Sequence, residues 1–517
     1  MRVRIAPCPT GDGAHIGLAR TALFNWLFAR RHGGAFVLRV DDTDRQRNVD
    51  EALAPILDGF RWLGMDWDEG PEVGGDHGPY FQSERGEHYA AAVDALLAAG
   101  AAYRDYSTPE ELAEERQAAQ AEGERFIYSL RWQAGTDDDA ARFEAEGRRG
   151  VVRLEMPREG SCRFTDHVRG EVEFEWAREQ DHVIQRADGS VLYNLASVVD
   201  DHLMEISHVI RAEEHLSNTP RQIFVFEALG YPLPEFAHLP AVAEPGSKTK
   251  LSKRKLDKYL KNPDFSKLYE HGLAIAEAIG LETTPETFNP VVVDFYREVG
   301  YLPDALVNYL LLLGWSLDDK TEILDRETMF EHFSLERVGK ASASFDPLKL
   351  LSFQEHYMRR LSEDETVAMV APYLVAAGLV EEGAAPETRV RAIVRAAGDR
   401  LVVAGDILEY AEFFVDDAAL AYDEAAFDKR LRQPEEAAGL LAAYRERLAA
   451  TEPWTVASLE ASLRDFVEER GLKLGAVIHA LRVAVTGKSV GFGMFEILEI
   501  LGREACLARI DRALARV

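Results

Sequence analysis

The residues best placed for chemistry near the N-terminus lie in the stretch RIAPCPTGDGAHIGLARTALFNWLF, residues 4–28. Gly11, Gly13 and Gly17 surround His15 at the point where the apolar spacing of Ala19, Ala22, Leu23, Trp26 and Leu27 requires a helix to begin. Backbone N–H groups at a helix N-terminus make an anion site, and glycines let a phosphate approach closely. His15 there can hydrogen-bond a phosphate or a pentacoordinate phosphorus; the bland alternative is a histidine that only caps the helix. A second set, KLSKR at Lys250 to Arg254, follows Pro245 and Gly246 and places two lysines three apart. Such charges can clamp a triphosphate if aimed where negative charge develops, or can simply be a solvated basic loop. A third set stands near strand ends: Arg4, Asp41, Asp42, Asp44 and Arg211. Arginines pair bidentately with carboxylates and an aspartate can hold an ammonium, so together they suit a dicarboxylic amino acid. Each could also sit in a structural ion pair.

Two further patterns do not hold up. The GKS at residues 487–489 would need a glycine five positions earlier to be a phosphate-binding P-loop, and Arg482 stands there. Asp200, Asp201, His202 and His208 in DDHLMEISH match no standard ligand spacing and read as polar, structural residues. The three cysteines, Cys8, Cys162 and Cys506, are far apart, which argues against a cysteine zinc site and a disulfide framework and for a reducing cytoplasm.

These groups need elements to hold them. RVRIA reads as a strand, the segment from His15 as a helix stopped by Gly33 and Gly34, and AFVLRV as a second strand. Strand, helix and strand form a βαβ unit and imply a parallel sheet, whose C-terminal edge would carry DDTD, residues 41–44. Residues 50–64 and 84–126 read as helical, 151–185 as short strands of an antiparallel insert, and 190–215 as a return to α/β. From about residue 300 the pattern is helical to the end. The most apolar run, ALVNYLLLLGW at 305–315, is too short to span a bilayer. The net charge of −30 counts against a nucleic-acid binder taken alone, but KTKLSKRKLDKYLK, residues 248–261, holds seven basic residues and one acidic.

The two phosphate-suited motifs occur together, in order and widely separated. HIGL resembles the HIGH motif and KLSKR the KMSKS motif of class I aminoacyl-tRNA synthetases. With DDTD, VVDDHLM, VIRAEEH, YLPDALVNYLLLLGW and LKLGAVIHALRVAVTGKSVGFGMFEILEILG, nearly the whole chain resembles the bacterial glutamyl-tRNA synthetases. The resemblance implies an α/β fold: a Rossmann-type parallel-sheet catalytic domain with an α+β insert, then an all-α C-terminal half. It implies a first catalytic half at 1–105, an acceptor-end-binding insert at 106–185 and a second catalytic half at 186–245. The KLSKR loop and a stem-contact helical region would follow at 246–345, and a helical anticodon-binding domain at 346–517. It implies a cytoplasmic monomer, without membrane attachment, that makes glutamyl-adenylate from glutamate and ATP with Mg²⁺ and passes the glutamyl group to the 3′-terminal adenosine of tRNA(Glu), at its 2′-hydroxyl. His15, Lys250 and Lys253 would be catalytic; Thr10, His15, Gly17, Glu214, His215, Val242 and Lys253 would bind ATP. Arg4, Ala6, Cys8, Asp41, Tyr193, Ser197 and Arg211 would hold glutamate, and Asp44, Arg254 and Arg400 would meet tRNA.

The chain departs from the family pattern in places. Cys8 stands for a common serine, Ser197 for asparagine, and Asp41 for glutamate, which shortens the reach by one methylene; Ser197 or a water is expected to fill the gap. Residues 255–300 look longer than the family's crossing between KLSKR and the next motif and suggest an arm against tRNA. Tyr103 and Tyr106, with no cysteine nearby, imply no structural zinc. Alternatives are an enzyme that also glutamylates tRNA(Gln) and, more remotely, a non-catalytic tRNA-binding regulator.

Overall fold

The computed structural model describes residues 1–9, 13–43, 52–123, 126–381 and 387–517. They form two compact units: Met1–Ser266 with Pro285–Phe295 and Leu306–Lys349, and Lys267–Thr284 with Tyr296–Ala305 and Leu350–Val517. Among them no helix is long and apolar enough to cross a membrane.

The first unit is built as the βαβ pattern requires. Strand β1 (Arg2–Ile5) leads into helix α1 (Ile16–Arg31), and β2 (Ala35–Leu38) returns parallel to β1 with Arg2 opposite Ala35. Twelve of the sixteen residues of α1 are buried, which explains why its apolar positions run almost all the way round. Strands β3 (Ala102–Asp105), β4 (Gln133–Ala134), β5 (Val151–Leu154) and β8 (Val183–Gln185) form a separate antiparallel sheet in the order β4-β3-β5-β8. Strands β6 (Ser161–Asp166) and β7 (Gly170–Glu175) form a hairpin. Helix α2 (Tyr193–Leu203) leads to β9 (His208–Ala212), and β10 (Glu235–Leu239) pairs parallel with it.

The main sheet runs β2-β1-β9-β10-β6-β7. The antiparallel strands expected at 151–185 therefore divide between two sheets, and the hairpin β6–β7 extends the main one through Phe236 opposite Asp166. A hairpin's own alternation says nothing of which sheet its edge will join. The helical reading of 84–126 is also interrupted: β3 follows Gly100 and pairs with β5, a long-range choice that the alanine-rich flanks conceal.

β11 (Val242–Ala243) and β12 (Ala343–Ser344) pair in parallel and flank the KLSKR loop, whose Lys253–Lys255 is a 3₁₀ turn. The segment 288–295 is buried through Phe288, Asn289, Val291, Val292, Val293 and Phe295, none more than 4% exposed. It braces the start of α1: the Ile16 N–H donates to the Val291 carbonyl and the Val293 N–H to the Ala14 carbonyl, both at 2.9 Å. An arm free to extend is thus not what residues 288–295 make.

The second unit is helical, as the pattern from residue 300 indicates. Leu441, Tyr444, Leu463, Phe466, Leu481 and Ile510 lie in its core. The GKS sequence ends the helix Gly475–Thr486 with Gly487 in the left-handed region (φ 75°). A P-loop would open a helix at that point; this one closes.

Candidate active site

A cavity of about 1240 Å³ opens at the C-terminal ends of β1 and β9, beside the N-terminus of α1 and the KLSKR loop. That edge is where ligands of parallel α/β sheets bind. Arg4, Ala6, Cys8, Asp41, Tyr193 and Arg211 line it, as do His15, Gly17, Glu214, His215, Val242, Lys250, Lys253 and Arg254. Thr10 and Asp44 lie outside the described residues. Ser197 is not on the wall: it is 1% exposed, in a fully buried stretch of α2 that runs from Leu195 to Asp201. One turn beyond Tyr193, Ser197 is thus more deeply buried than the tyrosine that lines the cavity.

His15 is the N-cap of α1, and its Nδ1 accepts from the Gly17 N–H at 2.9 Å. A neutral ring with an accepting Nδ1 carries its proton on Nε2, which leaves a donor for a phosphate oxygen. Burial first, then the charges of Lys253 and Lys250, push His15 down to about 3, so it stays neutral at ordinary pH. The capping and phosphate-binding readings are therefore compatible. Gly13 supplies a left-handed turn (φ +65°), and a Cβ there would lie 2.4 Å from Asp294 Oδ2. Lys253 Nζ donates to the Gly13 carbonyl at 3.2 Å, which ties the KLSKR loop to the histidine loop. Lys250 pairs with Glu214. Lys255 and Lys258 both bind Glu244, whose side chain is 1% exposed, so part of the basic run is structural.

The amino-acid end holds groups that local patterns did not single out. Arg4 donates from Nε and Nη2 to Asp201 at 3.0 and 3.1 Å, and Arg39 Nη1 reaches the same carboxylate at 2.7 Å. Arg39 Nε binds Asp41 at 2.7 Å, and Arg85 Nε binds Asp200 at 2.6 Å. Burial alone would lower Arg39, but Asp41, Asp201 and Asp200 outweigh it and hold it well above its ordinary value. The aspartates considered as metal ligands are thus counter-ions of buried arginines. His202 stacks on Tyr231 at 3.6 Å, and His208 faces Ser207 at 2.9 Å. Gln82 also lines the cavity; its Nε2 donates to Asp200 at 2.8 Å, and its Oε1 has no partner among the described residues.

Arg211 differs from Arg4. It is 5% exposed, and among the described residues no carboxylate hydrogen-bonds to it, though the charge of Asp201 is felt there. Its partners are His238 Nε2 at 3.1 Å, the Tyr193 hydroxyl at 3.3 Å and Thr219 Oγ1 at 2.9 Å. Burial first, and the charge of Arg4, lower it from its ordinary value, and Tyr193 and Asp201 only partly offset this. A buried arginine whose direct partners are all neutral is suited to receive an anionic ligand. No spacing rule points to His238 or Thr219, since contacts across the sheet bring them there.

Tyr103 and Tyr106 sit in and beside β3, where their hydroxyls donate to Asp181 at 3.0 Å and Glu144 at 2.8 Å. In the helical unit, Arg400 ends a 3₁₀ turn and is exposed. Its charge adds to burial in lowering Arg482.

Comparison with known proteins also gives two parts. A family model described as tRNA synthetases class I (E and Q), catalytic domain, matches residues 1–284 and 288–352, and an anticodon binding domain model matches 365–514. The first match runs through most of 255–300. The chain is 44% identical to a glutamate–tRNA ligase of Moorella thermoacetica over 99% of this chain and 98% of the relative. It is 42% identical to glutamate–tRNA ligase 2 of Rubrobacter xylanophilus over 100% and 97%. A crystal structure of a glutamate tRNA ligase from Elizabethkingia meningosepticum, in complex with its amino acid, is similar at TM-score 0.84 and 31% identity, covering 100% of this chain and 99% of that one.

Proposed function

This chain belongs to the glutamate–tRNA ligases of the class I tRNA synthetases, and we propose that it activates glutamate with MgATP and transfers the glutamyl group to the 3′-terminal adenosine of tRNA(Glu) in the cytoplasm. In the first step an α-carboxylate oxygen of glutamate attacks the α-phosphorus. The bond from that phosphorus to the bridging oxygen breaks, and pyrophosphate leaves. In the second step the 2′-hydroxyl oxygen attacks the acyl carbon, the bond from that carbon to the phosphate oxygen breaks, the hydroxyl proton passes to the departing phosphate, and AMP leaves. The protein's part is positioning and charge stabilisation. The neutral His15 donates from Nε2 to a phosphate oxygen. Lys253 and Lys250 meet the developing negative charge, Lys250 after leaving Glu214. Gly17, Glu214, His215 and Val242 line the nucleotide site, and Thr10 is assigned to it by its place in the motif.

The observation that carries the amino-acid assignment is Arg211, buried on the cavity wall with no carboxylate hydrogen-bonded to it among the described residues. The α-carboxylate must face the phosphates, so a fixed arginine at the end of β9 is suited to the side-chain carboxylate. A glutamine amide would set N–H donors against an acceptor-free guanidinium and be rejected. Arg4, held by Asp201, lends positive potential, Asp41 takes the ammonium, and Ala6, Cys8 and Tyr193 shape the pocket. On the tRNA, Arg254 and Asp44 contact the acceptor side, and Arg400 reads the anticodon end, where RNA bases can be splayed and read. Nothing favours the broader reading in which tRNA(Gln) is charged too.

ATP–pyrophosphate exchange against a panel of amino acids, with and without tRNA, tests this. Exchange with glutamate alone, dependent on tRNA, is the expected result. Exchange with glutamine, or none with tRNA present, overturns it.

A further inference from the structure

Beneath Arg211 lies a buried pair that plays no part in the reaction described above. Asp166, at the end of β6, and His238, on β10, are 72 residues apart in the chain and meet because the two strands pair. Asp166 Oδ2 lies 2.6 Å from His238 Nδ1, and the two side chains are 0% exposed. The Asp166 carboxylate also accepts the backbone N–H groups of Val168 at 2.9 Å, Arg169 at 2.8 Å and His238 at 3.0 Å. The other ring nitrogen, Nε2, lies 3.1 Å from both Arg211 Nε and Thr219 Oγ1.

An arginine only donates, so Nε2 must accept. The ring proton therefore sits on Nδ1, and Asp166 is the group that takes its hydrogen bond. Reversing the tautomer would set one N–H against another in a place water cannot reach. Arg211 has five N–H groups. His238, Thr219 and Tyr193 each take one, from Nε, Nη2 and Nη1. One N–H on each Nη remains, an arrangement able to take a carboxylate bidentately.

We propose that Asp166 and His238 are positioning residues for amino-acid recognition: Asp166 fixes the Nδ1–H tautomer of His238, and His238 Nε2 anchors Arg211 so that its two remaining N–H groups face the substrate carboxylate. The logic resembles the way a buried aspartate sets a histidine tautomer in hydrolase triads, but here the readout is binding. The inference rests on the reading that Arg211 holds the glutamate side chain.

The test uses the full chain with tRNA present and measures KM for glutamate, KM for ATP and kcat of pyrophosphate exchange. Asp166→Asn keeps the volume and still accepts backbone N–H groups, but its amide donates to Nδ1 and drives the proton to Nε2. Glutamate KM should rise at least about tenfold, the scale of a lost hydrogen bond to a charged group, with ATP KM within about twofold. His238→Asn retains a donor to Asp166 but withdraws the acceptor, and should match Asp166→Asn. His238→Gln places a carbonyl oxygen near the Nε2 position and should recover most of the affinity; adding Asp166→Asn to it should cost nothing further, because no tautomer remains to be set. Parallel rises in glutamate and ATP KM, or additive losses in that double variant, overturn the proposal. Arg211→Gln separates the two claims. If it leaves glutamate KM unchanged, the Arg211 reading fails; if it raises KM while Asp166→Asn does not, the positioning role alone fails.

Discussion

Replacing Asp201 by asparagine should weaken the catalytic unit sharply, and the amount can be worked from the ion cluster. Arg4, Arg39, Arg85, Asp41, Asp200 and Asp201 are each at most 8% exposed and carry three positive and three negative charges. Asp201 accepts from Arg4 Nε at 3.0 Å, Arg4 Nη2 at 3.1 Å and Arg39 Nη1 at 2.7 Å. Asparagine keeps the size but leaves one uncompensated buried positive charge. Losing one partner of a buried pair costs about 3–5 kcal/mol. Three charged hydrogen bonds lost outright would cost about 5–9 kcal/mol, but the amide oxygen retains part of them, so the lower range holds. Urea unfolding followed by hydrogen exchange of the β1 and β2 amides measures it at the right place. Burial pushes Asp201 up, yet Arg4 and Arg39 outweigh it and hold it below the usual carboxylate value. Its stabilisation is therefore complete above the ordinary carboxylate range and is lost as pH falls through the depressed value, so parent and variant should converge in acid. Glutamate, an anion beside Arg4, should stabilise the variant more than the parent. A loss under about 1 kcal/mol at neutral pH, the size of an exposed pair, would refute the claim that these charges are dry and balanced.

Other consequences are as direct. Burial holds His15 at about 3, and His182 and His215 at about 4, while all three protonate near 6.5 when unfolded; stability should thus fall as pH drops from about 6.5 to 4, and His182→Gln should reduce proton uptake on unfolding in that window by about one. Gly13→Ala adds a Cβ at a left-handed φ, 2.4 Å from Asp294 Oδ2; exchange kcat should drop at least about tenfold, equivalent to roughly 1.4 kcal/mol, with partial recovery on adding Asp294→Ala. Gly487→Ala puts a Cβ 2.0 Å from the Ala421 carbonyl oxygen at φ +75°; the helical unit should lose about 1–3 kcal/mol or more in urea unfolding, and adenylate formation measured without unfolding should be unchanged. Lys253→Ala should cut adenylate formation by about a hundredfold or more in rapid-quench assays, with glutamate KM little changed, as removal of charge stabilisation aimed at phosphorus requires.

The parts legible in the sequence are those whose signals are local. His15 is an N-cap because the glycine loop and the apolar spacing after it meet at one residue, and the βαβ unit follows from strand, helix and strand in order. Arg4, Asp41 and Arg211 were recognisable as pocket groups by charge at strand ends. What a sequence cannot display is which charge answers which. Arg39 and Asp201 are 162 residues apart, and Asp166 and His238 are 72 apart; the first pair exists only because helix α2 packs on the sheet and the second because β6 and β10 pair. Ser197 shows a related limit: its place in a motif carries no information about how deeply that turn of α2 is buried. The membership of β6 and β7 in the main sheet was invisible because an edge strand's partner is chosen by tertiary packing.

The brace on α1 has a consequence in time. The Ile16 N–H waits for the carbonyl of Val291, and Ala14 for Val293. At about 5–20 residues per second, a ribosome needs roughly 15–55 s to make the chain between them. Throughout that interval the nascent N-terminal strand and helix can collapse, but the loop carrying His15 lacks its neighbour, and Lys253 has been made before the brace arrives. Phosphate-binding geometry is therefore among the last things the catalytic unit acquires during synthesis, and an N-terminal fragment released before residue 293 would hold the motif without its working shape.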